Sequence, residues 1–123
     1  SGGELSRLML CIKSLVATSM DMPTLIFDEI DTGISGEEAI KVGRMMQQMA
    51  QKHQIIAISH LPQIAAQGNS HYFVYKDESQ ERSTSKLRKL SNDERITEIA
   101  QMMSGQPPTE AALMNARELL TTT

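Results

Sequence analysis

The chain has 123 residues, 40% of them apolar, with a formal net charge of -3 and a single cysteine. That length fits one small domain or part of one. The acidic balance gives no global attraction to nucleic acid or anionic lipid, and a lone Cys11 excludes an internal disulfide.

The chain opens on Ser1-Gly2-Gly3-Glu4, directly before a long apolar stretch. Free N–H groups at a helix start attract anions, and glycines let a phosphate approach the backbone. An ordinary N-cap or a flexible leader gives the same pattern. Because the first residue already lies inside a motif, the chain is expected to be a piece of a longer protein. Leu5, Leu8, Met9, Ile12, Leu15 and Val16 follow helical spacing, with Leu10, Cys11 and Ala17 on other sides. A helix apolar nearly all round is expected to be mostly buried, with Cys11 an inert buried thiol in a reducing cytosol.

Asp21-Met22-Pro23 ends that helix, and Thr24-Leu25-Ile26-Phe27 follows as a continuous apolar run. Such runs suit a parallel strand covered on both faces. The run ends in adjacent carboxylates, Asp28 and Glu29. At the carboxyl edge of an α/β sheet, one acid can hold a magnesium ion through water. The next can take a proton from a water that attacks a phosphate. Two solvated acids closing a strand read identically.

Asp31-Thr32-Gly33 is a loop that either shapes the site, contacts a second subunit or merely precedes the next helix. Ser35 and Glu38 have capping-box spacing, so a helix is expected from Gly36, with Ala39, Val42, Met46 and Met49 on its apolar face and Lys52-His53 at its close. Ile55 to Ile58 predicts a second buried strand. Strand, helix, strand at this spacing is a right-handed βαβ unit, so His60, just past the second strand, is expected at the same rim as the acids. A structural histidine is the plainer alternative there, as it is for His53 and His71.

Pro62 predicts a short helix. His71–Tyr75 and Thr84–Leu90 read as hairpin strands, with Lys86, Arg88 and Lys89 as a solvated edge. Ser91 and Glu94 repeat the capping-box spacing before a helix stopped by Gly105, and Thr109 to Leu120 forms a last helix after Pro107-Pro108. Met45, Met46, Met49, Met102 and Met103 are expected to fill the core. No segment matches G-x-x-x-x-G-K-[ST], no apolar run reaches the ~20 residues of a membrane span, and no charged-then-apolar leader opens the chain.

With Ser1-Gly2-Gly3-Glu4, Leu25–Glu29 and Ser59-His60 in this order, the chain resembles the C-terminal half of an ABC-type ATPase head. Asp28 to Gly36 and His60 to Ala66 are similar to the bacterial RecN-type DNA repair family of SMC-like coiled-coil ATPases, and the likeness extends through His71-Tyr72, Lys76 and Glu98 to Met102. The resemblance implies an α/β fold: half of a P-loop NTPase head, with parallel strands, flanking helices, a β-hairpin and two C-terminal helices. It implies a single unit over residues 1–123 that lacks the lysine-bearing phosphate loop. It assigns Ser1, Gly2 and Gly3 to a signature motif that contacts ATP held by another subunit, and Asp31 to the loop at that dimer interface. Asp28 becomes the magnesium acid, Glu29 the catalytic base and His60 the switch histidine. ATP and Mg2+ are then the cofactors of the full-length protein, and a homodimer of ATP-joined heads and DNA its partners. Repair and recombination of double-strand breaks are the process, and the nucleoid-associated cytoplasm the place. A transporter nucleotide-binding subunit would place Pro-Thr-Ala/Ser-x-Leu-Asp where Ile30-Asp31-Thr32-Gly33 stands. A non-catalytic interaction module leaves Glu29 and His60 without a use.

Overall fold

The computed structural model describes residues 2–79 and 81–122. Helix α1 spans Gly2–Ser19, strand β1 Thr24–Asp28, helix α2 Gly36–Met49 and strand β2 Gln54–Ile58. The strands pair in parallel, with Thr24 opposite Gln54 and Asp28 opposite Ile58. Helix α3 is a single turn, Pro62–Ala65. Strands β3 (Tyr72–Asp77) and β4 (Thr84–Lys89) form a separate antiparallel hairpin, and helices α4 (Asn92–Ser104) and α5 (Glu110–Thr121) close the chain. The βαβ unit, the hairpin and the C-terminal helix pair thus follow the expected order.

Two apolar clusters hold these elements. The first joins Leu10 and Ala17 of α1, Leu25 and Phe27 of β1, Val42 and Met46 of α2, and Ile64 of α3. The second is built of small residues: Ala66, Ala100, Ala112 and Ala116 surround Ile99. Alanines on facing helices let α4 and α5 approach closely.

Burial differs from the sequence expectation in α1 and the sheet. Leu10 and Ala17 are enclosed, but Leu5, Leu8, Ile12 and Leu15 stand open to solvent, Leu15 at 72%. Cys11 is exposed, not an enclosed thiol. In β1, Leu25 and Phe27 face the core while Ile26 is 65% exposed on the other face, and Ile56 and Ile58 of β2 are open as well. An apolar face is covered only where a second layer lies on it, and α1 and α2 supply that layer on one side of this sheet. Of the methionines expected in the core, Met46 and Met49 are buried, Met45 and Met102 are partly buried against the clusters, and Met103 is exposed.

Local capping signals have divergent fates. At α4 the reciprocal box forms: Ser91 Oγ accepts the Glu94 N–H at 3.2 Å, and the Glu94 carboxylate accepts the Ser91 N–H at 3.0 Å. These bonds and the Arg88 guanidinium hold the Glu94 carboxyl down at about 2. At α2, Ser35 occupies the N-cap but its hydroxyl caps nothing. Glu38, the residue that should complete the box, pairs with Arg7 of α1 and with Lys41. An N-cap hydroxyl that accepts a backbone N–H contributes about 1 kcal/mol. Urea denaturation of the chain is therefore expected to show a loss of about 1 kcal/mol for Ser91→Ala, and a shift within about 0.5 kcal/mol for Ser35→Ala.

Candidate functional site at the strand ends

Both strands run the same way, so Asp28 and Ile58 end at one edge of the sheet. The ladder continues one step further, where the Glu29 N–H donates to the Ile58 carbonyl at 3.2 Å. Glu29 itself has φ 55°, left-handed backbone that non-glycine residues seldom adopt. This turn breaks the strand alternation that would otherwise send Asp28 and Glu29 to opposite faces. Both side chains are exposed at the rim. The Glu29 carbonyl accepts from the Thr32 N–H and hydroxyl, which closes the loop tightly behind the acids.

Asp31 lies behind this rim. The resemblance assigns it to a dimer-interface loop; in this chain its side chain is 1% exposed and bonds to the loop after β2. Its Oδ2 accepts from the Ser59 hydroxyl at 2.5 Å and from the His60 N–H at 3.2 Å, and lies 3.4 Å from His60 Nδ1. Ser59 Oγ in turn accepts the Leu61 N–H at 3.0 Å. One buried carboxylate thus joins the loop after β1 to the loop after β2. The His60 ring projects outward, its side chain 73% exposed. Asp31 Oδ1 is enclosed and meets no donor among the described residues.

The start of α1 is tied to the same region, because Ser6 Oγ donates to the Ile30 carbonyl at 3.3 Å. Gly2 and Gly3 form the first turn of α1, while Ser1 lies outside the described residues. Gly3 also serves packing: a Cβ there would lie 2.5–2.8 Å from the Glu38 side chain. The structure therefore brings Asp28, Glu29, Asp31 and His60 to one end of the parallel pair and ties the start of α1 to the loop beside them. His53 and His71 stand apart. His53 Nδ1 lies 2.7 Å from the Met22 carbonyl, and burial, with the Arg95 charge second, lowers the pKa of His71. Ser59 carried no distinguishing signal in the sequence beyond preceding His60.

The shape of the rim matters chemically. The acids sit on an open edge, and the chain's shallow concavities lie elsewhere, one of them beside Met22, Pro23 and His53 at the opposite strand ends. Among the described residues no three His, Cys, Asp or Glu side chains converge as a metal cage. Asp28 nevertheless offers the hard oxygen that magnesium takes when water and phosphate supply its remaining ligands.

No protein-family model matches the chain. Over 120 residues and 98% of its length it is 42% identical to the DNA repair protein RecN of Vibrio cholerae and 46% identical to that of Deinococcus radiodurans. The RecN of Bacillus subtilis is 39% identical over the same share. The chain belongs to the RecN family. It spans 21–22% of the length of these three relatives. Among solved structures, a chain from work on ATP-driven dimerization and DNA-stimulated activation of SMC ATPases superposes with TM-score 0.67 at 21% identity, covering 86% of this chain and 63% of that one. The Smc head domain with coiled coil and joint from Pyrococcus yayanosii gives 0.66 at 20% identity, covering 85% of this chain and 19% of that one. This RecN segment therefore has the α/β fold of an SMC ATPase head.

Burying Asp31 is tolerable only while its donors are in place. Asp31→Ala leaves the Ser59 hydroxyl and the His60 N–H without their acceptor and is expected to destabilise the chain by about 1–3 kcal/mol. Glu29→Gly, which removes a side chain from left-handed backbone, should not lower stability. Thermal and urea unfolding of the two variants check both statements.

Proposed function

We propose that the chain is the C-terminal portion of an ABC-type ATPase head in a RecN-type DNA repair and recombination protein, and that its rim is half of an ATP-hydrolysing site. The observation that carries this reading is the delivery of Asp28, Glu29 and His60 to one end of a parallel strand pair. In this role Asp28 holds Mg2+ through water, and Glu29 takes the proton of the attacking water. His60 contacts the terminal phosphate through its exposed ring. Bound magnesium supplies charge neutralisation on the phosphates. Gly2 and Gly3, at the head of α1, and Ser1, which precedes them in sequence, contact ATP held by a second copy of the head.

A half-site explains features that a complete enzyme would not have. The acids occupy an open rim because the facing surface belongs to another part of the protein. Asp31 Oδ1 is a buried acceptor that meets no donor among the described residues, and such groups call for a partner. The bare apolar faces of α1 and of the sheet fit a lobe that lies elsewhere in the full-length protein and carries the phosphate-cradling lysine loop. DNA is the partner of the whole protein, and the nucleoid-associated cytoplasm its place of work.

In the full-length protein, Glu29→Gln is expected to keep ATP binding and to slow hydrolysis by about tenfold or more. Steady-state turnover and nucleotide binding of the variant measure this, and unimpaired turnover removes Glu29 from its role. The isolated chain, without the lysine loop, is expected to bind ATP weakly and to hydrolyse it negligibly. Low-micromolar binding by isothermal titration would contradict that.

A further inference from the structure

His60 is held from the front by Asp31, but what holds it from behind lies in the C-terminal helices. Helix α3 begins at Pro62, just past His60, and has 4 residues. One helical turn has too few internal bonds to keep its own place, so its position is set from outside. Its apolar residues anchor in different clusters, Ile64 in the first and the adjoining Ala66 in the second. On the α2 side, Gly43 leaves no room for a side chain: a Cβ there would lie 2.8 Å from Gln67 Cγ and 3.3 Å from the Gln63 carbonyl. On the α4 side stands Arg95. Its Nη2 lies 2.9 Å from the Ala65 carbonyl, 3.1 Å from that of Ala66 and 2.5 Å from that of Gly68.

This is not an ordinary surface arginine. Among the described residues it has no carboxylate within ion-pair distance, and its Nε is buried without a partner. The guanidinium is directed at three carbonyls of the segment that follows His60. Desolvation lowers its pKa, in keeping with that half-buried seat.

We propose that Arg95 is a positioning residue for His60: by gathering the carbonyls of Ala65, Ala66 and Gly68 it seats α3, and through α3 it fixes the backbone that carries the His60 ring to the rim. The proposal rests on the role given to His60 above. Arg95 touches neither nucleotide nor water in this scheme. It couples the α4–α5 pair to the strand ends, so a shift of the C-terminal helices would reach the hydrolytic rim along α3.

The test uses the full-length protein with Arg95→Ala and Arg95→Lys, read by amide hydrogen exchange over residues 59–68 and by ATP turnover, each alone and combined with His60→Ala. Arg95→Ala is expected to raise exchange in that segment about tenfold, as loss of hydrogen bonds to a charged group does. It is expected to lower kcat about tenfold with KM for ATP unchanged, and to add nothing to the loss caused by His60→Ala. Arg95→Lys keeps a charge and three donors on a shorter stem and should restore part of both. If Arg95→Ala does not fold, Arg95→Lys carries the same comparisons with smaller changes. Unchanged exchange over residues 59–68, or a kcat loss that multiplies with that of His60→Ala, overturns the proposal alone. Turnover indifferent to His60→Ala overturns the role of His60 and this proposal with it.

Discussion

The buried Asp31 carboxylate is the constraint on which the site depends. A parallel ladder brings two strand ends to one edge, but it leaves the loops beyond them free to diverge. Asp31 removes that freedom by accepting from Ser59 and His60 across the gap. Burying a carboxyl group to 1% exposure costs free energy unless donors meet it. Each hydrogen bond it accepts contributes about 1 kcal/mol. The balance is favourable only in the geometry where both loops are closed, so electrostatics selects the arrangement that displays Asp28, Glu29 and His60 together.

Around this joint the molecule is bounded by unfinished surface. Among the described residues the parallel sheet has two strands, each with an unpaired edge, and two-stranded sheets are marginal without a covering layer. Helices α1 and α2 provide that layer on one side. The opposite face, with Ile26, Ile56 and Ile58, lies open, as do Leu5, Leu8, Ile12 and Leu15 on α1. An exposed aliphatic area of this kind is unusual on a free-standing monomer and marks a contact surface. It agrees with a segment that spans about a fifth of its RecN relatives.

Much of this was legible in the sequence because the informative signals are local. Apolar runs at Leu25–Phe27 and Ile55–Ile58 separated by a helical period yield a parallel pair, and parallel pairing alone places Asp28 and His60 at a common edge. The Ser91–Glu94 box reads correctly because both partners lie within one turn of helix. Ser35 and Glu38 have identical spacing, yet their box fails because Arg7, remote in sequence, takes the Glu38 carboxylate. The continuous apolar run in β1 promises cover on two faces, but cover is a property of the neighbouring layer, not of the run. Asp31 is the same lesson reversed. The loop of Asp31 reads equally as shaping the site, contacting a second subunit or preceding a helix, and only the return of β2 with Ser59 and His60 encloses its carboxylate.

The legible and illegible parts divide along a physical line. Periodicity and turn chemistry fix which side chains reach the rim, since these depend on backbone geometry within an element. They do not fix how firmly those side chains are held, since that depends on donors and acceptors far apart in the chain. Asp31 reaches its partners across 28 and 29 positions, and Arg95 reaches the α3 carbonyls across 27 to 30. Catalytic positioning tolerates little slack. On the function proposed above, the residues that hold such a rim in place are therefore the ones a local reading passes over: a carboxylate whose value lies in being buried, and an arginine whose charge is directed at backbone carbonyls.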